Sequence, residues 1–507
     1  RTVRVLGACL AGTGAELVSV EARFDGSEKR ATDIVLTGLP DPVIRESKGK
    51  LVCALEANGL HVPKGRLFLN LVPAARRKSG EILDLPLVLA AAAACGHFDA
   101  RALAGKLFIG EVGIDGALHA VAGGLAAALA ASRAEVHEVI APLATAREAA
   151  FVPGTTAYGA AHVEEVLQHL VGTKARLAPV APTEAPVTGT AEATIDEVRG
   201  QATAKLALAV AAAGGHGVLF IGPPGAGKSM LARRFASLLP PPALAERLEI
   251  TRVLSASGRW PGGLASTRPF RAPHHTISYA GLVGGGSPPM AGEITLAHGG
   301  VLFLDELPEF RREVLEALRQ PLESGAVLIS RAGRQLELLA RFQLVAAMNP
   351  CPCGYQGHAR VPCRCPPTHV QRYRHRISGP LLDRIDLRIE LAPPTLDELG
   401  EARGVAGAPD TAFATLRERV VAAHALQAAR QGARRNSELD AEQLDLLTPL
   451  DTATKALLSR AARARNLSAR GVQSLRRVAR TLADLDGLEV VRGEHLAQAL
   501  ALRSPLT

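Results

Sequence analysis

"VLFIGPPGAGKSML", Val218 to Leu231, is the stretch on which the fold turns. Val218 to Ile221 form an apolar run of the length expected for a strand buried on both faces, and the Ala/Leu text after Ser229 reads as a helix. Between them Gly222, Pro223, Pro224, Gly225, Ala226, Gly227, Lys228 and Ser229 satisfy G-x-x-x-x-G-K-S. The chemistry asks for this pattern because glycines let backbone N–H groups wrap phosphate oxygens at a helix N-terminus, where the dipole favours negative charge. Lys228 is placed to reach β- and γ-phosphates, and the Ser229 hydroxyl to hold Mg²⁺. Together with Met230 these residues are the expected ATP cradle. Strand, glycine loop and helix in this order predict an α/β fold with a parallel sheet.

The text downstream supplies the rest of a hydrolytic site. In "GGVLFLDELPEF" the apolar run Val301 to Leu304 ends in Asp305 and Glu306, so both carboxylates are expected at the sheet edge where phosphates lie. Asp305 would assist Mg²⁺, and Glu306 would polarise the attacking water. "RFQLVAAMNP" delivers Asn349 at the end of the next strand, suited to orienting that water. "SGPLLDRIDL" places Arg384 on a short helix entering a strand. An arginine there either decorates the surface or points into a neighbouring subunit's γ-phosphate as a finger, and the order of the motifs favours the finger.

Composition bounds the setting. The 507 residues are 47% hydrophobic and 21% charged, enough to bury several cores. The Ala-rich runs are too short to span a bilayer and no charged leader precedes a cleavable apolar segment, so a cytoplasmic location without membrane association is expected. Net charge is +9, and ten arginines lie between Arg331 and Arg388 against three acidic residues, which predicts a cationic face. Tyr355 and Tyr373 interleave with them as half-buried anchors or as platforms for bases. Cys9, Cys53 and Cys95 stand apart in apolar text and read as small buried hydrophobes.

Four domains or connectors are expected. Residues 1–172 alternate short β-type runs with Ala-rich helices, and 173–194 read as an exposed linker. Residues 195–392 form the nucleotide-binding unit with insertions, and 393–507 are helical. Within the third, "RPFRAPHHTISYAGLVGGGSPP" (268–289) shows too little apolar periodicity for a core element and reads as a mobile loop. "GAVLISRAGRQLELLARF" (325–342) reads as a hairpin with Arg331 and Arg334 at its tip. "MNPCPCGYQGHARVPCRCPP" (348–367) holds two C-x-C pairs, Cys351 with Cys353 and Cys363 with Cys365, separated by nine residues. They offer one tetrahedral Zn²⁺ site, with His358 and His369 in reserve, although C-x-C is tighter than the usual C-x₂-C. An unmetallated loop and a redox switch are the other readings.

These motifs, with the long stretches "FRAPHHTISYAGLVGGGSPPMAGEITLAHGGVLFLDELPEF", "LEALRQPLESGAVLISRAG", "LVAAMNPCPCGYQG" and "LTGLPDPVIRESKGK", resemble the ComM/YifB family of magnesium-chelatase-like AAA+ ATPases over the whole chain. The resemblance implies an N-terminal Lon-protease-like α/β domain, a central AAA+ P-loop domain and a C-terminal helical lid. It also implies a homo-hexameric ring with ATP between subunits and "IDEVRGQ", ending at Gln201, near the adenine. In "LSARGVQSLRRVARTLADL" it implies Arg470 as the sensor 2 arginine, with Arg477 as second choice. The hairpin is similar to the pore-facing hairpin of MCM rings, which implies that Arg331 and Arg334 meet DNA phosphates. A Lon-like protease needs a serine and a lysine; here Ala126 follows "GGL" where the lysine belongs and Ser79 lacks a local base, so an assembly module without proteolysis is expected.

The functional expectation is an ATP- and Mg²⁺-dependent DNA motor promoting branch migration in recombination and natural transformation, acting on single-stranded or branched DNA. Recombination proteins are candidate partners of the N-terminal domain. The alternative is a chelatase-like remodeller of a protein partner.

Overall fold

The computed structural model describes residues 2–26, 33–74, 78, 80–172, 176–183, 195, 198, 200–286, 290–331, 334–358, 361–393 and 411–505, without the side chains of 46–47, 330–331, 334–335 and 411–415. Ser79 lies outside the described residues.

A seven-stranded mixed sheet occupies the N-terminal part. Its order is Asp33–Thr37, Arg66–Val72, Gly14–Asp25, Val3–Ala11, Lys106–Phe108, Glu138–Pro142, Thr156–Ala160. Alternate residues such as Val18, Val20 and Ala22 face a core shared with the helix Asp84–Ala94, the period-2 pattern of a half-covered sheet. The supposed linker begins inside this unit. The Val180 N–H donates to the Ala157 carbonyl, and Leu177 and Val180 pack on the core, so two isolated apolar side chains among prolines found a strand edge that local composition could not announce. Cys53, expected buried, is exposed on the helix Pro42–Ala57, whereas Cys9 is buried.

The second sheet has five parallel strands in the order Phe270–Arg271, Val301–Leu304, Gln343–Met348, Val218–Ile221, Leu387–Glu390. Its inner strands are apolar apart from Gln343 because both faces are covered. Val218, Phe220, Val345 and Ala347 pack with the helix Ala202–Gly214 and C-terminal helices; Leu219, Ile221, Leu344 and Ala346 pack on the other side with Leu282, Leu307, Val314 and Leu381. One expectation fails here. The 268–289 stretch contributes the edge strand Phe270–Arg271 and a one-turn helix, Tyr279–Val283, with Leu282 and Val283 in the core. Elements of two and five residues are too short to show a period.

Among the described residues that follow are the helices Thr411–Gln431, Ala441–Leu447, Thr452–Ala464, Ala469–Leu485 and Gly493–Ala501. Ser468 caps the helix Ala469–Leu485 by accepting from the Gly471 N–H at 3.1 Å. Its Leu475, Val478, Ala479 and Leu482, spaced three and four apart, are buried. A buried histidine joins this bundle to the sheet: His216 Nδ1 lies 2.8 Å from Asp386 Oδ2 and Nε2 2.8 Å from Thr481 Oγ1. Burial alone would raise the Asp386 pKa, but its hydrogen bond to His216 and that ring's charge leave it below the usual value. On the opposite side Glu148 accepts from the Ser255 hydroxyl, and the Gly123 N–H donates to the Ser255 carbonyl at 3.1 Å, seating the helix Gly124–Arg133 against Leu244–Ala256.

Two predictions test this frame. Asp386→Ala leaves the buried His216 ring short of a partner and should lower unfolding free energy by about 1–3 kcal/mol in urea titrations. Burial, reinforced by Arg435, pushes His424 down to about 4. A histidine depressed in the folded state adds stability that is complete above its unfolded pKa and lost as pH falls through its folded one. Acidification from about pH 6.5 to 4 should therefore remove up to about 3 kcal/mol, and His424→Gln should flatten that pH dependence of the thermal midpoint.

Candidate active site

The Gly222–Ser229 loop joins the strand Val218–Ile221 to the helix Lys228–Arg234. Gly225 and Gly227 have φ of +80° and +87°, in the left-handed region where a side chain is strained. A Cβ on Gly222 would come within 2.7 Å of the Leu391 carbonyl, so this glycine is also required by close packing. Lys228 Nζ donates to the carbonyls of Gly222 at 2.6 Å and Pro223 at 3.0 Å, and to Asn349 Oδ1 at 3.0 Å. Burial lowers its pKa, against the raising influence of Asp305 and Glu306. Ala226 is buried and Met230 exposed. Gln201 starts the helix Ala202–Gly214 in a left-handed conformation, and its Nε2 donates to Ala392 O at 2.7 Å and Ala226 O at 3.4 Å. It therefore sits against the phosphate loop.

The acidic pair stands at the same edge. Ser229 Oγ donates to Asp305 Oδ2 at 2.6 Å across 76 residues of sequence. Glu306 adopts φ +52°, a conformation that costs a non-glycine residue about 1–3 kcal/mol. Sequence reasoning missed its partner, His275, whose Nδ1 lies 3.1 Å from Glu306 Oε2. The only signal for it was the His274-His275 doublet in an insertion read as a loop. Hydroxyl, ammonium, two carboxylates and one amide thus converge at one sheet edge, a donor set suited to a phosphate chain and a hard divalent cation.

The two arginines expected near nucleotide are held together by one carboxylate. Arg384 Nη2 lies 2.5 Å from Glu323 Oε2, and Arg470 Nη2 lies 2.7 Å from Glu323 Oε1. Their hydrogen bonds hold the Glu323 carboxyl below its ordinary pKa. Arg384 was expected on a short helix; that helix, Gly379–Leu382, ends before it, and Arg384 stands in the turn that leads to the strand Leu387–Glu390. Arg477 is instead occupied within the bundle, donating to the Leu439 carbonyl at 2.6 Å.

The hairpin forms from Ala326–Arg331 and Arg334–Leu339, with Arg331 opposite Arg334 as its last pair. The side chains of both arginines, and residues 332–333, lie outside the described residues. Several of the remaining described arginines are drawn into contacts within the chain, while Arg364 and Arg372 are exposed. Arg376 pairs with Glu309 at 2.8 Å, Arg374 donates to Pro350 O and Gln356, and burial pushes the pKa of Arg388 down to about 10. Sequence gives charge density but not the acceptors that distant segments bring. Tyr373 is 6% exposed, with burial raising its hydroxyl to about 12, which rules it out as a base platform. The cysteines do converge: Cys351, Cys353, Cys363 and Cys365 have Sγ atoms all within 4.8 Å of one another. In the N-terminal unit Ala126 is buried in the helix Gly124–Arg133.

Among the described residues no helix is long and apolar enough to cross a membrane. Residues 194–399 match the family described as magnesium chelatase, subunit ChlI; residues 411–503 match its C-terminal family and residues 20–145 a further ChlI family. The chain is 39% identical to competence protein ComM of Haemophilus influenzae, over 97% of this chain and 96% of that protein. It is 37% identical to the uncharacterised protein YifB of Salmonella typhimurium, over 97% and 95%, and 36% identical to the uncharacterised protein Rv2897c of Mycobacterium tuberculosis, over 99% and 98%. That family implies ATP and Mg²⁺ as ligands of the site. A P-loop and acidic strand end on one parallel sheet, a helical C-terminal bundle, and relatives this similar along nearly their full length place the chain in the ComM/YifB family of magnesium-chelatase-like AAA+ proteins.

Proposed function

We propose that the chain is an ATP-hydrolysing DNA motor working as a ring of six in the cytoplasm, of the branch-migration type that serves recombination of incoming DNA. The observation that carries the reading is the union, in one unit, of the converged site at Lys228, Ser229, Asp305, Glu306 and Asn349 with a hairpin ending in Arg331 and Arg334. Kinship with a competence protein supports DNA as the substrate. Lys228 and the backbone from Gly222 to Met230 grip the phosphates, Gln201 faces the adenine, and Ser229 with Asp305 holds Mg²⁺. Glu306 polarises the attacking water, Asn349 orients it, and His275 holds the Glu306 carboxylate.

Arg384 and Arg470, fastened to one carboxylate, share a surface. Both are presented together to the γ-phosphate of the adjoining subunit, where guanidinium charge stabilises the transition state. The cysteines hold a structural Zn²⁺. The N-terminal unit, without a lysine at Ala126, is an assembly module that receives recombination proteins. A second reading, a remodeller of a protein partner, draws on the chelatase family matches.

ATPase assays with and without forked DNA separate the two: stimulation supports the motor, and a rate indifferent to DNA with no DNA binding supports the remodeller. Lys228→Ala and Glu306→Gln should each stop turnover, the latter with nucleotide still bound. Arg384→Ala should lower kcat about a thousandfold or more, and its activity should return in mixed rings with an Arg384-intact, Lys228→Ala partner. Arg331→Ala with Arg334→Ala should weaken DNA binding and reduce its salt slope by about 1 for each phosphate no longer neutralised, with basal hydrolysis kept.

A further inference from the structure

We infer that the four-cysteine loop is a brace for the nucleotide cradle: a thiophilic divalent cation of the zinc class, held by Cys351, Cys353, Cys363 and Cys365, fixes the loop against the phosphate-binding turn and so sets nucleotide affinity. The inference rests on the ATP-site reading above and adds a dependence on the metal.

The donor set is already shaped for the ion. Cys351 Sγ lies 3.3 Å from Cys353 Sγ and 3.6 Å from Cys363 Sγ, and Cys353 Sγ lies 3.6 Å from Cys363 Sγ. Sulfurs on a tetrahedral zinc stand about 3.8 Å apart, given Zn–S bonds of about 2.3 Å, so small displacements admit the ion. Backbone N–H groups point at the sulfurs, from Gln356 to Cys351 at 3.3 Å and from Cys365 to Cys363 at 3.4 Å. Such donors favour thiolates and orient metal ligands. Between Cys351 and Pro366 the only described residues that are buried are Cys351 and Gly354. An apolar core therefore cannot be what orders this excursion, and closing it needs a cross-link. Binding is ligand exchange without electron transfer: Zn–S bonds form as bound water leaves, and thiol protons pass to solvent.

The loop's position makes the ion matter to nucleotide. Its first ligand follows Asn349 by two residues, and the Asn349 amide is the group that receives Lys228. Gly354, between the ligands, turns at φ +85° and lies so close to the phosphate loop that a Cβ on it would stand 2.8 Å from Pro224 Cδ. The other arm runs into the helix Pro367–Arg374, anchored by buried Val370 and Tyr373. Arg374 reaches back to Pro350 O at 3.3 Å and to Gln356 Oε1 at 3.1 Å. One ion thus ties the arm that backs Pro224 and Asn349 to the arm rooted in the core. Without it the backing of both is released.

The test uses the full chain. Mass spectrometry of metal content should find one zinc per chain, and a fluorescent ATP analogue with Mg²⁺ should bind. Stripping with an organomercurial and chelator should weaken that binding at least tenfold, and adding zinc back should restore it. Gly354→Ala should keep the zinc yet weaken nucleotide several-fold, a separation that loss of folding would not produce; Lys228→Ala should keep the zinc and lose nucleotide. Absence of zinc from the protein even after zinc is supplied overturns the site, and equal affinity with and without zinc overturns the brace alone. A zinc-loaded chain that binds no nucleotide overturns the ATP-site reading itself, and the brace with it.

Discussion

Side chains that act on a phosphate can leave a parallel sheet only at its strand ends, because positions within strands covered on both sides are consumed by the core. The five-stranded sheet meets this constraint through register. Ile221 lies beside Met348 and Glu390, so the glycine turn, Asn349 and the chain after Glu390 emerge at one edge, where Asp305 and Glu306 also arrive. The bonds from Ser229 to Asp305 and from Lys228 to Asn349 follow from that alignment. A slip of one residue would carry every apolar side chain to the opposite face and dissolve the site with the core.

The C-terminal bundle is coupled to the opposite end of this sheet, where strands Val218–Ile221 and Leu387–Glu390 begin, by polar contacts that a purely apolar interface would not provide. His216 precedes the strand Val218–Ile221 and bridges Asp386 to Thr481. Asp386 stands two residues after Arg384, whose guanidinium meets Arg470 of the bundle through Glu323. Displacement of the helix Ala469–Leu485 therefore bears on the strand that leads away from Arg384. Hydrogen bonds with fixed geometry transmit such movement more sharply than sliding apolar contacts. Similar logic applies at the N-terminal unit: Thr13 Oγ1 accepts from the Leu339 N–H at 3.4 Å, while Gly12 lies so close to the Glu337 carbonyl that a Cβ would meet it at 2.9 Å. The hairpin carrying Arg331 is thus seated at its base by the turn between the first two strands.

Much of this was legible before any tertiary contact was known. The apolar runs before Gly222, Asp305 and Asn349 named three strands of the second sheet, and the "RAGR" turn named the hairpin, because each signal is local. The two C-x-C pairs offered a four-thiol site beside other readings, because their spacing is tighter than the usual C-x₂-C, and the fold brought the four sulfurs together. What stayed hidden were elements too short for a period, such as Phe270–Arg271, and contacts made by remote partners. His275 beside Glu306, the burial of Tyr373 and the pairing of Arg376 with Glu309 depend on segments far apart in the chain.

The sequence by itself determined which functional groups the chain carries: a glycine-rich P-loop, two adjacent carboxylates after an apolar strand and four thiols, each legible as a run of residue types along the chain. The tertiary structure alone decided which charges remain available. It half-buried Arg388, committed Arg477 to a carbonyl and joined Arg384 to Arg470 on one carboxylate. The physical reason is that a motif needs only neighbours along the chain, whereas the availability of an arginine depends on every acceptor that folding brings within hydrogen-bonding reach.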